Sequence, residues 1–247
     1  MNYEVCEYKS VIEYKNSIFE TILVEDGHPY FLDEHLLRLE IAGREILGLS
    51  LSIDKIKLFI YKCIPQIGAF ALRVVCNINS CVLSLRDVEY KGSGFLKISS
   101  FIRDSNDIKF KYKTSDYSER LQELADVQKL GFLDAVYLNE NSFVTSCSIA
   151  NVFFIKKGKL FTPAIETGVL NGIVREIVLE NSECIEGEFK LSDFLASDGI
   201  FITNSVIGIL KIAGIGDQVV ACDDMVFNQI NEKYRLKMNF DRRKCCG

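Results

Sequence analysis

No apolar run in this sequence approaches the roughly 20 residues needed to cross a bilayer, and the opening MNYEVCEYKS is polar and charged where a secretory leader would be apolar. The expectation is a soluble, cytoplasmic chain without a membrane partner. Basic stripes are also missing beyond the short RRK at 242–244, and the formal net charge is -5, which argues against a nucleic-acid partner. The nine cysteines do not fall into the paired spacing of a metal site. Scattered in apolar surroundings, as Cys63 and Cys76 are, they read as buried small hydrophobes of a reducing compartment. Cys245 and Cys246, adjacent and terminal, do not make a metal site either, so no metal is expected. There is no internal repeat and no low-complexity segment.

What is present is ordinary globular material. With 48% apolar and 26% charged residues, 247 residues can bury a large core as one or two domains. SVIEY (10–14) and residues 17–27 read as strands, the second ending in the Asp26-Gly27 turn with HPYFL as its returning arm. Asp33 is the expected cap of a helix over 34–48, with Leu36, Leu39 and Gly43 on one face. A second helix is expected over 52–61, capped by Ser52. AFALRVVCNI, CVLSLRDVEY and FLKISSFI follow as strands. The polar, aperiodic RDSND at 103–107 is the expected boundary, dividing the chain into domains 1–106 and 107–247. Beyond it, Asp116 with Glu119 fits a capping box for a helix to Gly131. LDAVYL is a strand, and residues 224–238 close the chain as a helix.

The chain is organised around residues 143–175, FVTSCSIANVFFIKKGKLFTPAIETGVLNGIVR. An extended segment and a small-residue passage lead into an apolar strand, the Lys157-Gly158 turn, and a loop into a helix. Asn171 is placed as the N-cap, Gly172 leaves the first turn open, and Arg175 follows. Such a helix start offers N–H groups and a positive dipole end to an anion, although an ordinary cap accounts for the same residues.

Taken in order, VTSCSIANVF, then FTP, then GVLNGIVR resemble the fold-type IV pyridoxal phosphate (PLP) enzymes, the class IV aminotransferase family. That family carries V-T-E-x-x-x-x-N-h-F (h, apolar), then T-P and G-h-h-x-G-I-x-R. Its F-E-x-x-x-V-x-x-G and H-x-x-R-L are matched by FETILVEDG and HLLRL. The resemblance implies that Arg38 binds the cofactor phosphate, with His35 structural. Leu170 would pack on the cofactor ring, Gly172, Ile173 and Val174 would give backbone donors to phosphate, and Thr203, Asn204 and Ser205 would form a second phosphate turn. Tyr117 would reach the phenolate oxygen. Of the clustered Lys109, Lys111 and Lys113, the family's lysine-before-helix pattern selects Lys113 as Schiff-base lysine, with Lys111 as the alternative. An amine partly withdrawn from water near other positive charge loses basicity and becomes nucleophilic. Arg73 either faces a substrate cavity or lies on a solvated strand face.

Ser146 stands where the family has a glutamate on the pyridine nitrogen. A hydroxyl can hydrogen-bond that nitrogen but is too weak an acid to keep it protonated. The resemblance thus implies a two-domain α/β (α+β) enzyme of the D-amino acid aminotransferase-like fold, with a small N-terminal α+β domain and a larger C-terminal mixed β domain with helices, acting as a homodimer on a small molecule. Aminodeoxychorismate lyase, in folate synthesis, ranks first because an elimination that aromatises its product tolerates a weak electron sink. A class IV aminotransferase on D- or branched-chain amino acids is second, and a non-catalytic homologue third.

Overall fold

The computed structural model describes residues 1–6, 15–89, 92–116, 118–220 and 224–244. The strand expected over 10–14, Tyr117, Cys245 and Cys246 lie outside the described residues. The chain forms two compact units: Met1–Glu89 with Tyr112–Ser118 and Met238–Gly247, and Tyr90–Lys111 with Glu119–Lys237. The sequence reading has one division, after Asn106, whereas the chain passes from one unit to the other at 89/90, 111/112, 118/119 and 237/238.

The first unit is built on a five-stranded sheet. Its strands are β1 (Asn2–Val5), β2 (Ile18–Glu25), β3 (His28–Pro29), β4 (Ala69–Cys76) and β5 (Ser80–Asp87), ordered β1-β5-β4-β2-β3. Only β1 runs parallel to its neighbour. The β2–β3 turn puts Asp26 at φ 48° and Gly27 at φ 77°, the paired left-handed conformation of a type I′ hairpin. Helices α1 (Leu32–Leu47) and α2 (Ile53–Cys63) cover the face of β2 that carries Ile18, Ile22 and Val24.

Asp33 is not the cap of α1. Phe31, left-handed at φ 53°, takes that position without a side-chain cap, and its N–H donates to Asp241 Oδ2 at 2.9 Å. The acceptor therefore comes from the far end of the chain, and Asp33 sits in the first helical turn, where a negative charge meets the positive dipole end. Ser52 does precede α2, though without a side-chain hydrogen bond.

The second unit carries a nine-stranded mixed sheet. In chain order its strands are β6 (Gly94–Arg103), β7 (Asp134–Asn139), β8 (Val144–Cys147), β9 (Asn151–Lys156), β10 (Lys159–Pro163), β11 (Cys184–Gly187), β12 (Gly199–Asn204), β13 (Gly208–Ile215) and β14 (Gln218–Val219). The path runs β11-β10-β9-β12-β13-β6-β7-β8, with β14 on β13. Parallel pairing with β13 and β7 makes β6 part of this sheet. The central strands β9 and β12 are buried on both faces, which explains their unbroken apolar runs. Phe153 stacks on Phe201 with centroids 4.9 Å apart, while Phe154 faces the opposite cluster with Phe161, Phe189 and Phe194. Helices α3 (Ser118–Lys129), α4 (Ile173–Glu180) and α5 (Leu191–Leu195) complete the unit with most of α6 (Asp224–Lys244). Among the described residues no helix is long and apolar enough to cross a membrane, and no group of acidic, His or Cys side chains could hold a metal ion.

Candidate active site

In the first unit, successive β2 residues point to opposite faces of the sheet. Glu20 points at α1, where it is 1% exposed. Its carboxylate accepts from Arg38 Nε and Arg38 Nη2, both at 2.7 Å, and from His35 Nδ1 at 2.8 Å. Burial alone would raise the Glu20 carboxyl, but the Arg38 guanidinium and then His35 outweigh it, holding that carboxyl well below the usual range. Burial pushes the His35 imidazole below its ordinary value, despite the pull of Glu20. A neutral ring donating from Nδ1 is the consistent state, because Nε2 is buried without a partner. His35 thus orients the carboxylate that orients Arg38.

Phe19, next in sequence, faces the other way. The Lys113 ammonium lies 4.5 Å from the Phe19 ring centroid, and the Arg73 guanidinium 5.6 Å from it. Arg73 sits opposite Thr21 in the β2–β4 register, so the sheet brings Lys113 and Arg73 to one aromatic ring. The lysine's backbone is pinned beside β2: Lys113 O accepts from Phe19 N at 2.9 Å, and Ser115 N donates to Ser17 O at 2.8 Å. The other two lysines are placed differently. Lys109 pairs with Asp107 at 3.3 Å, and Lys111 is exposed.

In the second unit, Asn151 opens β9 and joins the two halves of the sequence motif. Its Nδ2 donates to Leu170 O at 2.9 Å, and a Cβ added at Gly172 would collide with its Oδ1. Gly172 is needed here for space: its φ of -78° is open to any residue. Gly172, and not Asn171, is the N-cap of α4, so the first turn, with Ile173 and Val174, carries no side-chain cap. Asn171 is turned aside, donating to Glu176 Oε1 at 2.6 Å and accepting from Arg175. Arg175 is committed to partners within its own unit. It is buried, donates to Pro163 O at 3.0 Å and pairs with Glu186, tying α4 to β10 and β11. Gly172→Ala is expected to cost about 1–3 kcal/mol in urea unfolding. Asn151→Ala in the same chain should recover part of the loss, and additive losses would disprove the collision.

Opposite Asn151 in the β9–β12 register stands Thr203, 0% exposed, whose Oγ1 has no hydrogen-bond partner. A buried hydroxyl without a partner costs about 1–3 kcal/mol, and an anion beside the open α4 terminus would satisfy it. These features fit a phosphate group. Asn204 is engaged otherwise, its Oδ1 accepting from Val206 N and Ile207 N at 2.9 Å each, so its side chain shapes the turn that carries Ser205. Thr203→Val is expected to leave the stability of the cofactor-free protein unchanged or higher while weakening PLP binding about tenfold, ~1.4 kcal/mol. Fluorescence titration against PLP reads the second effect, and unaltered affinity would remove Thr203 from the site.

Ser146, in β8, is buried, and its Oγ lies 2.5 Å from Arg103 Nη1. Sequence reasoning assigned Arg103 to a polar linker. The structure makes it the last residue of β6, paired with Asn139 after a bulge between Ile98 and Ile102. The only available signal was its position at the end of an apolar strand. Asp134 was also missed: buried at the start of β7, it accepts Ser148 N at 3.0 Å and Ile149 N at 3.4 Å, shaping the turn after Ser146.

The family model for class IV amino-transferases matches residues 17–215. Aminodeoxychorismate lyase of Bacillus subtilis is 26% identical over 233 residues, covering 82% of this chain and 78% of the relative. A structure from Legionella pneumophila, provisionally assigned as a 4-amino-4-deoxychorismate lyase, superposes with a TM-score of 0.84 at 20% identity, covering 96% of this chain and 100% of that one. The PLP form of the branched-chain amino acid aminotransferase from Thermobaculum terrenum gives 0.78 at 19% identity, covering 95% and 87%.

Proposed function

From the premise that this chain belongs to the class IV amino-transferase family, we propose that it is a PLP-dependent lyase that releases pyruvate from 4-amino-4-deoxychorismate and leaves 4-aminobenzoate. The cofactor, when bound, supplies the electron sink that lets a proton leave a substrate carbon. The chain's own residues do the rest. Lys113, held on a backbone pinned to β2, would hold the cofactor through its aldehyde carbon, with loss of water, and as a free amine would move protons. Arg38, oriented by Glu20, is read as a phosphate ligand. The uncapped start of α4 and Thr203 are read as donors to phosphate, and the Leu170 side chain as packing on the ring. Arg73, beside the ring of Phe19, is read as facing a substrate carboxylate. Ser146 is read as the contact to the ring nitrogen.

Ser146 is the observation that carries the lyase reading. A hydroxyl in place of a carboxylate weakens the electron sink, and an elimination that creates an aromatic ring has driving force of its own. The Bacillus subtilis relative is supporting. A branched-chain aminotransferase is the second reading, supported by the kinship of fold with the Thermobaculum terrenum enzyme. The decisive experiment couples pyruvate release from 4-amino-4-deoxychorismate to a lactate dehydrogenase signal, beside keto-acid formation from a panel of D- and branched-chain amino acids. Pyruvate without keto acids supports the lyase; keto acids without pyruvate replace it with the transaminase. The reading includes a cytoplasmic homodimer, checked by sedimentation.

A further inference from the structure

Arg103 is 3% exposed at the end of β6. Its guanidinium carbon lies 3.9 Å from the Tyr137 ring centroid and 5.2 Å from that of Phe110. Its nitrogens donate to Ser146 Oγ at 2.5 Å, to Thr145 Oγ1 at 3.4 Å and to Cys147 O at 3.0 Å. The guanidinium is thus held by stacking and by three acceptors on β8, and it remains charged at every accessible pH. Two carboxylates act on this cluster from its surroundings. Glu123, on α3, bears on Tyr137, and Asp134 bears on Cys147 while accepting N–H groups of Ala135, Ser148 and Ile149. Burial raises the Tyr137 hydroxyl and the Cys147 thiol, so both stay neutral.

Ser146 Oγ therefore accepts from a fixed cation and keeps a proton to give, which now points to Cys147 O at 3.1 Å. A carboxylate at this position, as the family pattern has it, would attract a protonated pyridine ring. A hydroxyl backed by a guanidinium does the opposite, because a like charge within about 4–6 Å disfavours the charged form. We propose that Arg103 is a positioning residue which, through Ser146, holds the ring nitrogen of bound PLP in its unprotonated, hydrogen-bond-accepting form. The proposal rests on the reading of Ser146 as the ring-nitrogen contact. It assigns the weak electron sink to a built charge arrangement instead of to the mere loss of a glutamate.

The test is nitrogen-15 NMR of the full chain loaded with PLP labelled at the ring nitrogen. In the native protein the resonance should sit at the unprotonated position across the neutral pH range. Arg103→Met should move it toward the protonated position, and Arg103→Lys should keep it where it was. Ser146→Glu, which places a carboxylate between Arg103 and the ring, should protonate the nitrogen even if Arg103→Met does not fold. A native protein that binds PLP with a protonated ring nitrogen overturns this proposal alone. A resonance that Ser146→Glu leaves unmoved also overturns it, by removing position 146 from the ring. A protein that takes up no PLP overturns the cofactor reading and this inference with it.

Discussion

Replacing Lys113 with alanine is expected to abolish covalent attachment of PLP and to lower turnover roughly 10²–10⁴-fold, the usual size of a lost acid–base group. Borohydride reduction followed by peptide mass spectrometry would find the cofactor-modified peptide centred on residue 113 in the native protein and none in the variant. The expectation rests on placement. Lys113 lies against the Phe19 ring on a backbone bonded to β2, while Lys109 is paired with Asp107 and Lys111 is exposed. An amine held beside an aromatic face keeps a defined position from which it can reach a carbonyl carbon. Modification at Lys111 with Lys113 untouched would transfer the role to the neighbour and sink the assignment.

Glu20→Ala is expected to cost about 3–5 kcal/mol, a large fraction of the roughly 5–15 kcal/mol that keeps an ordinary domain folded. The loss arises because the Arg38 charge and the His35 Nδ1 proton would lose a carboxylate that is 1% exposed. The same cluster sets the acid limb of stability. In the folded chain Glu20 titrates below its ordinary 4.5, because Arg38 and His35 together outweigh burial. Its contribution is therefore complete above about 4.5 and fades as pH falls further. His35 is held below its ordinary 6.5 by burial, so the unfolded chain takes up that proton first, and stability also declines as pH drops below about 6.5. Both terms carry one sign: the native protein should lose stability continuously from near-neutral pH downward, and Glu20→Ala should flatten the lower part of that curve. Urea denaturation at several pH values measures it. A variant within about 1 kcal/mol of the native protein would mean that water replaces the carboxylate.

What could be read locally was read well. The Asp26-Gly27 and Lys157-Gly158 turns are visible because a two-residue hairpin needs left-handed residues, and here all four have positive φ. The runs of β9 and β12 are visible because strands buried on both faces are apolar at every position. Elements whose pattern is weak escaped. Residues 179–190 carry no strong pattern, and they hold the end of α4 and the partly exposed strand β11, which exists by pairing with β10. Caps were misassigned for a related reason. Asp33 and Asn171 are good cap residues by type, but the first turns begin at Phe31 and Gly172, where Asp241 and Asn151 dictate the backbone from far along the chain.

The sequence alone determined the family, through short ordered motifs, and with it the chemistry expected of Lys113, Arg38 and the α4 terminus. Those motifs are legible because each one packs its chemistry into a few consecutive residues. Only the tertiary structure decided which residues answer one another: that Glu20 and His35 hold Arg38, that Asn151 forces Gly172, and that Arg103 ends a strand against Ser146. Such partners are separated by 15 to 43 positions. A hydrogen bond or an ion pair depends on distance in space, and in a strand or loop that distance is set by sheet register and not by spacing along the chain.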